Sequence, residues 1–174
     1  SQAMYLPLHV EKLGVDIMIL DGSKMYGQRG MGILYVKRGT LKIERAGTEN
    51  VPGIMGFATA LEVADKMRDK ENARLAELKN FFISELQKIN SEIKKNGSLD
   101  TASPHILSIS IPHIDNEFFI LQLDAKGIEC STKSACLHDE DESYVLRAIG
   151  ASSKNSVRFS FGRTTSKSDV KKVV

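Results

Sequence analysis

A lysine among glycines is the first feature of the sequence that could do chemistry. Lys24 follows an apolar run, and the stretch after it carries glycines at 27, 30 and 32. A lysine held among apolar groups at the end of a strand can lose its proton and form a Schiff base with an aldehyde. Most loop lysines are simply solvated, so both interpretations stay open.

A cysteine in a polar loop is the second feature. Cys136 follows small and polar residues at 131–135 and precedes an acidic run at 139–142. Such a cysteine is a candidate exposed nucleophile, although a free structural cysteine is commoner. Cys130 ends a run at 127–130 that we expect to be a strand, where its thiol packs as a small hydrophobe and stays protonated.

An arginine in an alternating segment is the third feature. Alternation predicts that Arg158 lies on the face of a strand opposite Val157 and Phe159. A guanidinium there can form a two-pronged hydrogen bond to a substrate carboxylate. An edge-strand salt bridge is the more frequent explanation for such an arginine.

Strands and helices alternate around these three features. Apolar runs predict a buried strand at 15–20 and a second strand at 31–36. Helical spacing begins at Val51, with Asn50 as a cap, and a second helical pattern covers 71–89. The residue pattern after Gly97 predicts three strands and three helices. The strands are at 105–111, 127–130 (its start) and 157–161, and the helices are at 116–123, at 144–149 closed by Gly150, and from 168 to the end. This order predicts an α/β fold, with a boundary near Gly97 between residues 1–97 and 98–174.

Composition excludes several classes of protein. The chain has 174 residues, of which 41% are hydrophobic and 26% charged, an ordinary globular balance. Its formal net charge of +2 supplies no strong field for a nucleic acid or an anionic membrane. No apolar run approaches the roughly 20 residues of a spanning helix, and we see no leader. Two cysteines make a poor disulfide framework, so we expect a cytoplasmic location.

Four motifs in order resemble one family, the pyridoxal-phosphate-dependent cysteine desulfurases of the class V aminotransferase group. Residues 15–32 resemble its lysine loop, and the sequence GTENVPG at 47–53 resembles its subunit-interface motif. Ser134-Ala135-Cys136 resembles its catalytic loop, and VRFSFGR at 157–163 resembles its carboxylate-binding strand. The resemblance implies the pyridoxal-phosphate-dependent transferase fold type I, with the end of the cofactor-binding domain in 1–97 and the small C-terminal α/β domain in 98–174.

The resemblance implies a role for each matched residue in the conversion of L-cysteine to L-alanine. Lys24 would hold pyridoxal 5'-phosphate and shuttle the proton at the substrate α-carbon. Cys136 would attack the substrate sulfur and carry it as a persulfide. Arg158 would bind the carboxylate.

The family also implies cofactor contacts and a homodimer. Thr48 would reach the phosphate bound to the partner subunit, and Ser23, whose hydroxyl can donate a hydrogen bond, is kept as a contact of the cofactor phosphate. Gln2 would hydrogen-bond the cofactor ring hydroxyl. A sulfur-acceptor protein, in iron–sulfur cluster assembly or tRNA thiolation, would take the persulfide.

This chain departs from the family pattern beside Lys24. Ser23 stands where the family has histidine, and Asp21 stands where a neutral phosphate donor is usual. The link at 41–46 is also shorter than the family's glycine-rich link. Two alternatives remain: a selenocysteine lyase or another class V lyase or aminotransferase, which would use Lys24 and Arg158 but need not use Cys136, and a non-catalytic scaffold that docks sulfur acceptors.

Overall fold

The computed structural model describes residues 2–42, 46–98, 102–133 and 142–174. Its helices are α1 (Gln2–Tyr5), α2 (Val10–Leu13), α3 (Val51–Ile89), α4 (Asn116–Asp124), α5 (Tyr144–Ala148) and α6 (Lys167–Val173). Its strands are β1 (Ile17–Asp21), β2 (Gly32–Val36), β3 (Lys94–Lys95), β4 (Ile106–Ser110) and β5 (Ser156–Ser160). Short 3-10 helices cover Gly22–Met25 and Ser153–Asn155. This mixture of helices and small sheets confirms the predicted α/β class.

The chain forms two compact units, Ser1–Glu71 and Asn72–Val174. This division falls inside α3, whereas the sequence pattern changes near Gly97. The family's two-domain division at residue 97 stays a prediction.

The first unit contains a two-stranded antiparallel sheet in which β1 pairs with β2 from Ile17↔Val36 to Asp21↔Gly32. Alternate residues of β1 lie on opposite faces of this sheet. Met18 and Leu20 are half-buried, while the side chain of Ile19 is 75% exposed. The expectation of a buried strand at 15–20 is therefore wrong for this chain, because β2 is the only described neighbour of β1 and one face of the pair stays open.

One helix, α3, replaces the two helices that the sequence predicts. The charged stretch between the two apolar patterns contains neither glycine nor proline, so nothing in it ends the helix. Arg68 instead pairs with Asp65 at 2.7 Å along the helix surface. At its start, the Asn50 side chain accepts a hydrogen bond from the N–H of Gly53 at 3.2 Å, as the cap prediction expects.

The second unit packs the C-terminal part of α3 against a three-stranded antiparallel sheet of order β3-β4-β5. Phe82 of α3 makes edge-on contacts with Phe159 and Phe161, at centroid distances of 5.0 and 6.0 Å. Leu107, Ile109 and Val157 are buried on the strands. This face of the sheet carries the core, so residues at the intervening positions lie on the opposite face.

Most of the elements predicted after Gly97 are confirmed to within two residues, but one is wrong. Residues 127–130 form no strand, because backbone pairing begins only at Ser131, which makes an isolated bridge with Arg158. Within the part of the chain that the structure describes, no helix is both long and apolar enough to cross a membrane.

Candidate functional site

Lys24 lies on a loop that closes on itself directly after β1. The N–H of Gly22 donates to the carbonyl of Met31 at 2.8 Å, and the N–H of Gly27 donates back to the carbonyl of Gly22 at 2.9 Å. Asp21 caps the 3-10 turn of this loop, since its Oδ1 accepts from the N–H of Ser23 at 2.9 Å. The closure holds Lys24 on a turn of fixed shape.

Glycine at position 22 is required by the closure. A Cβ at this position would lie 2.9 Å from the carbonyl oxygens of both Gln28 and Met31. At Gly27 it would lie 3.0 Å from the carbonyl oxygen of Gly22. The glycines that the sequence places around Lys24 therefore allow a close approach of backbone to backbone.

The Lys24 loop borders an open depression of about 760 Å³ that also involves Asp21, Ser23 and Arg29. The Lys24 side chain is exposed, so the expected enclosure in an apolar pocket is wrong for this chain. The hydrogen bonds from Ser23 to the Asp21 carboxylate lower the pKa of Asp21, which keeps it ionised at neutral pH. Lysine, hydroxyl, guanidinium and carboxylate thus meet at one surface.

This surface fits a phosphorylated aldehyde cofactor at all but one position. An accessible primary amine is what a Schiff base requires, and Ser23 and Arg29 offer donors that suit a phosphate. Asp21 does not fit, because an ionised carboxylate offers no donor and repels an anion.

The loop is also connected to the start of α3. Met31 lines the depression, and its sulfur lies 3.6 Å from Nδ2 of Asn50. A Cβ at Gly53 would lie 2.5 Å from the same sulfur, so a larger residue in this first turn would displace the Met31 side chain. Thr48, which is exposed, lies two residues before Asn50. The segment that carries Thr48 is in this way tied to a wall of the Lys24 depression.

In the second unit, Arg158 lies on β5 as the alternation predicts. Its neighbours Val157 and Phe159 are buried in the core, and Arg158 is half-buried on the opposite face. The Nε of Arg158 is buried and has no hydrogen-bond partner among the described residues. A buried donor without an acceptor is costly, and a bound carboxylate would satisfy it.

Ser131, the first residue of the segment 131–136 that leads to Cys136, pairs with Arg158. The N–H of Ser131 donates to the carbonyl of Arg158 at 3.1 Å, and the N–H of Arg158 donates to the carbonyl of Ser131 at 2.7 Å. Ser131 also fixes the residues after it, because its hydroxyl donates to the carbonyl of Lys133 at 2.8 Å. Cys136 follows in the sequence but lies outside the described residues.

A partly apolar cavity of about 370 Å³ adjoins Arg158. It is bordered by Thr132 and Lys133 at the start of the cysteine segment and by Tyr144 and Leu146 of α5. Ser143 holds the start of α5, since its N–H donates to Oγ of Ser153 at 3.0 Å. The cavity is therefore bounded by the arginine and by residues from both sides of the segment that carries Cys136.

A polar network that the sequence analysis missed supports the same face of the sheet. Nδ2 of Asn96 donates to Oγ of Ser108 at 3.1 Å and to Oγ of Ser156 at 3.0 Å. Oδ1 of Asn96 accepts from Ser110 at 2.8 Å. The sequence carries one signal of this network, namely the serines at alternate positions of β4 and β5. These serines share a face of the sheet with Arg158.

Arg74 of α3 is a second residue that sequence reasoning missed. Its guanidinium donates to the carbonyls of Thr165, Gly162 and Arg163 at 2.7, 3.0 and 3.3 Å. These carbonyls belong to the turn that follows β5. Arg74 therefore anchors the end of the strand that carries Arg158.

The structure describes the environment of Cys130 but not that of Cys136. Cys130 is half-buried, and burial together with Asp124 raises the pKa of its thiol. A neutral thiol is a poor nucleophile, as expected for Cys130, although the residue lies outside any strand. The predicted role of Cys136 stays a prediction, and so does that of Gln2, the first residue of α1.

Two buried basic groups lie away from these surfaces. The side chain of Lys79 is 3% exposed, and its Nζ donates to the carbonyl of Ser103 at 3.1 Å. Burial lowers its pKa. Burial also lowers the pKa of His105 to about 4, and Nδ1 of His105 lies 2.7 Å from Oγ of Ser103. Across residues 2–42, 46–98, 102–133 and 142–174, no group of three or more metal-ligating side chains occurs.

Curated relatives match most of this chain. It is 38% identical over 182 residues to the cysteine desulfurase IscS of Dictyoglomus turgidum, an alignment that covers 95% of this chain and 46% of that protein. It is 35% identical over 186 residues to the cysteine desulfurase IscS of Methanosarcina thermophila, covering 98% and 46%. The chain thus spans about half the length of the curated relatives it matches.

Solved structures share the fold. A NifS-like protein superposes with a TM-score of 0.80 at 26% identity, over 98% of this chain and 47% of that one. The cysteine desulfurase of Thermococcus onnurineus gives 0.70 at 20% identity, over 98% and 48%. The family model for class-V aminotransferases matches residues 1–44 and 41–173, two segments that overlap at 41–44. With nearly every residue matched, the chain belongs to the class-V aminotransferase family.

Proposed function

We propose that this chain carries the working residues of a pyridoxal-phosphate-dependent cysteine desulfurase. The reaction converts L-cysteine and an enzyme thiol into L-alanine and an enzyme persulfide. The carbon–sulfur bond of the substrate breaks, a sulfur–sulfur bond forms at Cys136, and the β-carbon gains a proton. Residues 1–97 would belong to the cofactor-binding domain and residues 98–174 to the small domain.

The pairing of Ser131 with Arg158 carries this proposal. A class-V enzyme of any kind can use a lysine and a carboxylate-binding arginine. A desulfurase also needs a thiol that reaches the sulfur of the bound amino acid. The segment that leads to Cys136 begins on the backbone of Arg158, and this arrangement favours a desulfurase over a lyase that uses no protein thiol.

The side chains would have different roles in this reaction. Pyridoxal phosphate, when bound, acts as an electron sink for the substrate α-carbon. The Lys24 amine would hold the cofactor and move the proton at the α-carbon, as a general acid–base group must. Arg158 would bind the substrate carboxylate through two hydrogen bonds. Cys136 would attack the substrate sulfur as a thiolate.

The remaining contacts involve the cofactor and a second subunit. Ser23 would donate to the cofactor phosphate, and Gln2 would hydrogen-bond the ring hydroxyl. Thr48 would reach the phosphate in the partner subunit, so the working form would be a homodimer. A sulfur-acceptor protein in the cytoplasm, for iron–sulfur cluster assembly or tRNA thiolation, would receive the persulfide. No nucleic acid or membrane would bind directly.

Borohydride reduction followed by peptide mapping tests the lysine assignment. Reduction in the presence of pyridoxal phosphate should leave a stable adduct on Lys24. The Lys24→Ala variant should lose the adduct and the release of alanine from cysteine. Lys37→Ala is the matched control, since Lys37 is an exposed lysine that pairs with Asp16 at 3.2 Å. An adduct on a lysine other than Lys24 would contradict the proposal.

A further inference from the structure

Asp21 places a negative charge on the surface where the proposed cofactor would bind. Its side chain borders the depression together with Ser23, Lys24 and Arg29. Its carboxylate interacts electrostatically with Lys24. Arg29 would favour an anion at this surface, and Asp21 offsets that preference.

The charge of Asp21 is not required by the turn that it caps. The turn uses the Asp21 carboxylate as an acceptor, for the N–H of Ser23 at 2.9 Å and for the Ser23 side chain. Asparagine offers the same acceptor at the same distance along the side chain, and serine also caps such turns well. The consequence of having aspartate here is therefore electrostatic rather than structural.

A phosphate ester is the ligand group most affected by this charge. It carries nearly two negative charges at neutral pH and accepts hydrogen bonds on three oxygens. An ionised carboxylate has no donor for those oxygens. Asp21 therefore opposes the phosphate of a phosphorylated aldehyde, whereas its interaction with Lys24 acts equally on phosphorylated and unphosphorylated aldehydes.

We propose that Asp21 is a specificity-determining residue that weakens binding of phosphorylated aldehydes at Lys24 relative to unphosphorylated ones. This inference rests on the proposed function, because it assumes that Lys24 binds the aldehyde. Ser23 and Arg29 would hold the phosphate against the repulsion of Asp21.

The test compares pyridoxal phosphate with pyridoxal on the purified full-length protein. Dissociation constants are measured by absorbance titration at low and high salt for the wild type, Asp21→Asn and Asp21→Ser. Asp16→Asn is the matched control, because it removes the same charge just before the start of β1, where Asp16 pairs with Lys37. Borohydride mapping at Lys24 checks the binding site in each variant.

Asp21→Asn should bind pyridoxal phosphate about threefold to tenfold more tightly at low salt, with a smaller gain at high salt. The affinity for pyridoxal should change less than the affinity for pyridoxal phosphate, and Asp16→Asn should match the wild type. Equal constants for the wild type and both Asp21 variants would overturn the inference and leave the proposed function standing. An equal gain for both aldehydes would also overturn it. The absence of saturable binding and of a Lys24 adduct in every variant would overturn both.

Discussion

Ser131 and Arg158 exchange two backbone hydrogen bonds, of 3.1 and 2.7 Å, although they lie 27 positions apart in the sequence. Arg158 also pairs with Ser108 of β4 on its other side. The backbone of Arg158 is thus fixed from both sides, while its side chain points away from the core face. A rigid arginine of this kind suits recognition of a planar carboxylate.

Arg158→Lys should raise the Michaelis constant for cysteine about tenfold or more, with a smaller change in kcat. An ammonium group cannot reproduce the planar, two-pronged hydrogen bond of a guanidinium. Steady-state alanine release measures both constants. Arg147→Lys, on the exposed side of α5, is the control and should match the wild type. If Arg158→Lys binds cysteine normally, the arginine is structural, and Arg163 becomes the next residue to test.

Gly22→Ala should lower the free energy of unfolding by about 2–3 kcal/mol, because the new methyl group would meet two carbonyl oxygens at 2.9 Å. The yield of borohydride adduct at Lys24 should fall with it. Gly56→Ala is the control. The nearest atom to its Cβ would be 4.0 Å away, and alanine in a helix interior should stabilise by about 0.5–1 kcal/mol. Urea unfolding of both variants decides whether the closed loop needs glycine at 22.

Arg74→Met should lower the free energy of unfolding by about 2–4 kcal/mol, since three carbonyls of the turn after β5 lose their donor. Arg74→Lys should recover part of this loss, because an ammonium can still reach one or two acceptors. Lys70→Met changes an exposed residue one turn earlier on α3 and should cost less than about 0.5 kcal/mol. Equal melting temperatures for the two methionine variants would show that Arg74 does not anchor the turn.

The sequence predicts the elements of the fold better than their environment. Amphipathic spacing identifies α3 and β5, since one face of each is buried within this chain. The same reasoning fails for β1, because an apolar run indicates that a strand prefers burial but not which surface covers it. The break predicted within α3 failed because charged residues such as Asp65 and Arg68 pair along a helix rather than end it.

Some residues of the candidate site can be predicted from sequence motifs and others cannot. Lys24, Arg158 and Cys136 lie in motifs whose residue types predict a chemical role. Arg74 and Asn96 act through bonds to residues more than ten positions away. The contacts of Arg74 leave no local pattern in the sequence, whereas the alternating serines of β4 and β5 are a partial signal for those of Asn96.

Stability should fall in acid because of His105. Burial lowers its pKa to about 4 in the folded chain, against about 6.5 in an unfolded one. Between these values the unfolded state binds a proton that the folded state excludes, so stability present above pH 6.5 is lost as the pH falls to 4. The loss should reach up to about 3 kcal/mol.

Urea unfolding at pH 7 and pH 5 measures this loss. His105→Gln should show a weaker dependence on pH than the wild type, while His9→Gln, at an exposed position, should keep the wild-type dependence. Parallel curves for the wild type and His105→Gln would contradict the role of His105.

The most direct test of the account follows the sulfur itself. The protein is incubated with pyridoxal phosphate and L-cysteine, and mass spectrometry of the intact chain and of its proteolytic peptides locates any added sulfur. One sulfur atom should appear on Cys136 in the wild type. The same gain is expected for Cys130→Ala, because Cys130 has a half-buried thiol with a raised pKa and is not expected to react. Cys136→Ala should gain no sulfur while it still forms the borohydride adduct at Lys24. A persulfide on Cys130, or normal alanine release by Cys136→Ala, would contradict the desulfurase mechanism.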